Sequence, residues 1–350
     1  MRTVDLARDL ARLCLAAFAS LLMAQALAAQ DFEIEDRRVY PGTGTAVLRI
    51  LSTADLVVFE PFLARFQADN PEVGIDYVVA SSAEVNRAIR GGAAFDLVLS
   101  SAMDLQFALA NDGYARTRTS GATVALPGWA KWNDQLFAFT AESAVIVIND
   151  RAFEGLPLPR TRAELVTLLR DNSERFGGRL GTYDPSVSGL GYLFATQEAR
   201  SSDAYWRLTE VMGRLGTQLY CCSGQMIDAV ANGELALAYN VLGSYAAQRI
   251  TRVEGVSILP LEDFVNVMLR TALIPVSATE VEAAGAMLDA LLLEGMGQST
   301  ATPVLPPLQT RGDTDGSPFG PIRLGPALMV YLDRLNRESF LAEWDAAMEQ

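Results

Sequence analysis

In the stretch Leu48-Arg-Ile-Leu-Ser-Thr-Ala-Asp55 a short apolar strand runs into hydroxyls and an acid, then opens a helix. The pattern recurs. Residues 73–79 meet Ser81-Ser82, and residues 95–99 meet Ser100-Ser101. Residues 180–183 meet Asp184-Pro-Ser-Val-Ser-Gly189, and residues 218–220 meet Cys221-Cys222-Ser223. A helix start leaves backbone N–H groups unpaired, and Ser, Thr or Asp there caps some of them. In an open α/β sheet these starts gather at the carboxyl ends of the strands, where ligands bind. Several starts facing one crevice suit a small, often anionic, solute.

Residues 30–46, before the first strand, read as a polar lead-in with Pro41-Gly-Thr-Gly44 as a breaker. The first helix carries Phe59, Phe62, Leu63 and Phe66 as an apolar stripe at helical spacing. Residues 136–139 and 144–148 read as two strands separated by Glu142-Ser143. A second α/β unit follows, with helices expected at 162–170, 190–199, 204–215 and 225–232. An apolar strand near 267–274 returns the chain to the first unit, which helices at 281–293, 326–336 and 340–348 complete. The expected division is a first lobe at 46–143, a second at 144–268, and a return to the first at 269–350. Residues 298–321, rich in Pro and Gly, form the one long irregular segment, and loops of that length are functional or disordered.

Residues 1–28 read as an export signal. Arg2, Arg8 and Arg12 precede an apolar run that ends at Ala26-Leu-Ala28, a small-residue cleavage site. That run is far shorter than the roughly 20 residues that span a bilayer. The chain carries a formal net charge of −14, which argues against nucleic acid, whose phosphates need a basic face. Histidine is absent, which removes Ser-His-Asp and Cys-His catalysis and every His-ligated metal site. No nucleophile–base pair is legible, so a non-enzyme with no cofactor and no metal is expected. After cleavage only the adjacent Cys221 and Cys222 remain. Neighbouring Cα atoms lie closer than a relaxed disulfide prefers, so a vicinal disulfide, two thiols and an intermolecular link all stay open.

The order of the motifs Leu48–Asp55, Ala94–Ser101, Ala141–Asn149 and Ala229–Asn240 resembles a type II periplasmic solute-binding protein of ABC transporters. Leu288-Asp-Ala-Leu-Leu-Leu-Glu-Gly-Met-Gly-Gln298 is similar to that family's leucine-rich helix end. Within the class, the chain is most similar to the branch of iron(III)-binding proteins and the phosphoglycerate transport regulatory protein. Ferric-binding members carry paired tyrosines after the strand matched by 235–240. Here that region reads Asn240-Val-Leu-Gly-Ser-Tyr245, with no such pair, which argues against direct iron coordination.

The resemblance implies an α/β fold of two lobes, each a sheet flanked by helices, joined by two crossovers and closing on a ligand. Matched by position, it places Ser52, Thr53, Asp55, Ser82, Ser100 and Ser101 on the first lobe's side of the cleft. Glu142 falls at the crossover. Ser186, Ser188, Gly189, Ser223 and Tyr239 come from the second lobe. It also implies a periplasmic monomer that delivers a small, anionic solute to an ABC permease. The alternative is a sensing module that signals to a membrane histidine kinase.

Overall fold

The computed structural model describes residues 32–251, 253–263, 265–300, 302–308 and 322–349. The expected export signal, and residues 309–321 of the expected irregular segment, lie outside these. The strands are β1 (Asp36–Tyr40), β2 (Val47–Ser52), β3 (Gly74–Val79), β4 (Leu97–Ser100), β5 (Lys131–Trp132) and β6 (Leu136–Asn149). They continue as β7 (Leu180–Tyr183), β8 (Gln218–Tyr220), β9 (Leu237–Leu242), β10 (Val256–Leu259) and β11 (Val267–Leu273). Along the sheet they run β1-β3-β2-β4-β11-β6-β9-β7-β8, with β5 and β10 also paired to β6. The helices linking parallel strands bury apolar stripes on this sheet. On the helix Leu56–Asp69, Phe59, Phe62, Leu63 and Phe66 are all buried, and Phe59 stacks on Tyr77 of β3 with centroids 5.7 Å apart.

Two parallel groups of strands, β2-β3-β4 and β7-β8-β9, form the cores of the two lobes. Between them lies an antiparallel ribbon. The first half of β6 pairs with β11, from Ser143 opposite Val267 to Phe137 opposite Ala272. Its second half pairs with β9 and β10. The two strands expected at 136–139 and 144–148 are therefore one. Glu142-Ser143 is not a turn, because Glu142 has its own cross-strand neighbour in Met268.

Two further expectations change. The polar lead-in contains β1, an antiparallel edge strand on β3. An edge strand can leave most side chains in water, so it shows little apolar signal. The helices expected at 326–336 and 340–348 are instead a 3₁₀ turn at Pro326–Met329 and one helix at Arg334–Met348. Asp333 sets that boundary, its carboxylate accepting from the N–H groups of Leu335 and Asn336 at 3.1 and 3.2 Å. No helix among the described residues is long and apolar enough to cross a membrane.

Candidate functional site

The carboxyl ends of both parallel strand groups face one another across a cleft that is continuous with solvent. The residues capping the helices that begin at Leu56, Ser82, Gly189, Ser223 and Gly243 all line it: Asp55, Ser81, Ser188, Cys222 and Leu242. Ser81 and Ser188 spend their hydroxyls on the N–H groups of Glu84 and Gly191. Asp55, Cys222 and Leu242 make no side-chain cap, and of these helices' opening residues Ser223 and Gly224 line the cleft, so the start of the helix Ser223–Ala231 presents positive partial charge to it. Cys221 and Cys222, left open above, are joined as a vicinal disulfide on the same wall.

Of the residues read from sequence, Thr53, Asp55, Ser82, Ser101, Ser188 and Ser223 meet at this cleft. Thr53 and Ser101 form a unit, with hydroxyl oxygens 3.2 Å apart and the Ser101 N–H donating to Thr53 Oγ1 at 3.0 Å. Ser223 Oγ bonds to the Tyr183 hydroxyl and accepts from the Leu242 N–H at 3.0 Å. The lobes are in contact. Gly189 N–H donates to Ser82 Oγ at 3.1 Å, and Asp55 N–H donates to Tyr245 Oη at 3.1 Å.

The remaining sequence-read residues do not line it. Ser52 and Ser100 end their strands pointing into the core, the neighbours of Thr53 and Ser101 on the opposite face. Ser52 Oγ takes the Tyr77 hydroxyl at 2.7 Å and the Ala54 N–H at 2.9 Å, and Ser100 Oγ takes the Ala102 N–H at 3.1 Å. Ser186 turns away into a local turn, its hydroxyl and N–H both donating to Asp184 Oδ1 at 2.5 and 2.8 Å. Gly189 lies at the lobe contact beside the cleft. Tyr239 is withdrawn into the second lobe. Its hydroxyl accepts from Arg162 Nε at 2.8 Å and donates to Glu198 at 2.9 Å, so it serves a buried ion pair. The bulge behind this sits at Asn240, whose φ is 63°.

Glu142 is likewise engaged within the protein. Arg270 of β11 donates to its Oε1 from Nε and Nη2 at 3.1 and 2.9 Å, and Ser244 Oγ donates to its Oε2. Both ion-pair partners are buried. Burial works against the Arg270 charge, but Glu142 outweighs it and holds the guanidinium protonated. Sequence reading missed this arginine. Its charge acts on Asp55, Tyr183 and Tyr245, which line the cleft, and the Glu142 charge opposes it at Tyr183 and Tyr245. Its Nη1 has no partner among the described residues. The signal for it was a lone cation inside the apolar strand Val-Met-Leu-Arg-Thr-Ala-Leu.

Burial raises the Asp55 carboxyl above the usual range even though Arg270 pulls it down. Burial also pushes the Tyr245 hydroxyl up to about 12. Among the described residues, no three His, Cys, Asp or Glu side chains gather closely enough to hold a metal ion. The chemistry on offer is hydrogen bonding and charge, in a cleft between two lobes.

Two helix-flanked α/β lobes around such a cleft define the type II periplasmic binding fold. The family model of the bacterial extracellular solute-binding proteins matches residues 52–297, and the chain belongs to that family. A solved substrate-binding protein of an ABC transporter from Agrobacterium tumefaciens is 30% identical, with TM-score 0.82, over 91% of this chain and 100% of that one. The binding protein AfuA from Actinobacillus pleuropneumoniae, solved with fructose-6-phosphate, is 16% identical with TM-score 0.68, over 87% of this chain and 99% of that one. Iron-bound HitA from Pseudomonas aeruginosa is 14% identical with TM-score 0.62, over 87% of this chain and 99% of that one. No curated protein sequence matches significantly.

Proposed function

We propose that the chain is a periplasmic receptor that captures a small anionic solute between its lobes and hands it to an ABC importer. The convergence of five helix starts on one cleft, with a buried arginine whose Nη1 has no partner among the described residues, carries this reading. Each feature favours negative charge, and together they suit oxyanions better than neutral sugars. The Agrobacterium relative, from an ABC transporter, supports the transport partner. In this reading residues 46–143 and the return segment from 269 form one lobe and 144–268 the other, with the β6–β11 ribbon as the hinge. The helix Arg334–Met348, expected in the first lobe, instead packs on the second, where Phe340 and Trp344 cluster with Tyr192 and Tyr205. Thr53, Asp55, Ser82, Ser101, Ser188 and Ser223 would touch the solute.

Thermal shifts of the mature chain against phosphate esters, di- and tricarboxylates and neutral sugars test this. A bound acid at about 100 times its Kd adds about 2.7 kcal/mol. Stabilisation by sugars alone would refute the anionic assignment.

Closure has its own test at Gly189. A Cβ there would fall 2.5 Å from Ser82 Oγ and 3.0 Å from Leu105 Cδ1 across the lobe contact. Overpacking of this kind costs about 1–3 kcal/mol. Gly189→Ala is therefore expected to weaken solute binding roughly ten- to hundredfold in calorimetry. The melting temperature without solute should barely move, since the lobes can part.

A further inference from the structure

Two carboxylates share the cleft with its cationic features. Asp55, half-buried, makes no side-chain hydrogen bond or ion pair among the described residues, and Glu35, more exposed than Asp55, makes none either. Asp55 Oδ2 faces the start of the helix Ser223–Ala231, 4.0 Å from where a Cβ on Gly224 would sit. Burial raises both carboxyls, and the charge of Asp55 raises Glu35 further. Arg249 reaches Asp55 electrostatically but is already paired with Asp228 at 2.9 Å.

Like charges in a partly desolvated cleft are unfavourable without a counter-charge. A simple anion would lie against Asp55 and Glu35, and a simple cation against Arg270 and the helix starts. A molecule carrying both charges meets each with its opposite. Resting on the receptor reading above, we propose that the solute is a small zwitterion. Its acid group is held by the helix starts above Arg270, and its amine by Asp55 and Glu35. Asp55 is then a specificity-determining residue, selecting amino-acids in the broad chemical sense over plain acids.

Matched pairs of probes test this: phosphoethanolamine with ethyl phosphate, taurine with ethanesulfonate, and γ-aminobutyrate with butyrate. Ethanolamine serves as the amine-only control. Thermal shift titrations would use the mature native chain and Asp55→Asn, a variant that breaks no cap bond. In at least one pair, the amine-bearing member should half-saturate the native chain at a concentration tenfold or more below its partner. Asp55→Asn should shrink that ratio at least fivefold. If plain acids bind the native chain as well as their amine-bearing partners, or if Asp55→Asn leaves that ratio unchanged, the zwitterion inference fails while the anion receptor stands. If ethanolamine alone matches the best probe, the site is cationic and the inference falls. If no acid of either kind shifts the native chain, the anionic reading fails and takes this inference with it.

Discussion

Replacing Arg270 by methionine is expected to abolish capture of the acidic solute and to destabilise the chain by about 3–5 kcal/mol. The stability loss arises because Glu142, also buried, loses the counter-charge and the two hydrogen bonds of Arg270. Ser244 and Thr140 alone cannot offset a buried carboxylate. The binding loss has a different origin, the removal of the cation behind the cleft wall. The two effects separate in the double variant Arg270→Met/Glu142→Gln. With both charges gone, urea unfolding should recover most of the lost stability, because a buried pair contributes little net. Calorimetry should still find no binding of the acid. A double variant that binds the acid with native affinity would reduce Arg270 to a scaffold residue.

Asp104 gives the second large effect. It lies in the first turn of the helix Met103–Asn111 and is only 3% exposed, and its Oδ1 has no partner among the described residues. Burial pushes its carboxyl from 3.8 up to about 7, against the opposing pull of the Leu105 and Asp104 N–H groups and the charge of Arg337. Tyr192, on the helix Gly189–Ser201 of the other lobe, faces it as the remaining titratable neighbour. The folded chain thus holds a proton that the unfolded chain releases. The associated stability is complete below about pH 4 and is lost as pH rises toward 7, at about 1.4 kcal/mol per unit. Asp104→Asn carries no such proton. Its unfolding free energy should match the native chain at pH 4 and exceed it by about 4 kcal/mol at pH 8. Parallel pH profiles for the two proteins would contradict this.

The strand–hydroxyl–helix pattern made half the cleft legible, because cap preferences are local and the starts of parallel-strand helices share one edge of the sheet. What it could not resolve was which of two adjacent residues faces the cleft. Ser52 and Thr53 both carry hydroxyls, and only the final strand geometry turns one toward Tyr77 and the other toward Ser101. Asp184 hides a competing turn that captures Ser186. The missed features are non-local. Glu142 looked like a linker because its partner Arg270 is 128 residues away in sequence. Tyr239 looked like a cleft residue because its ion-pair partners, Arg162 and Glu198, come from helices elsewhere in the second lobe. Glu35 precedes an edge strand whose exposed pattern reads as loop.

An acidic solute is expected to sit between the Thr53–Ser101 pair and the start of the helix Ser223–Ala231. A crystal structure of the mature chain with the acid that most raises its melting temperature tests this most directly. The acid group should lie within hydrogen-bond reach of the Ser223 and Gly224 N–H groups and of the Thr53 or Ser101 hydroxyl. An acid bound outside the cleft, or held by one lobe alone with no contact to the other, would contradict it.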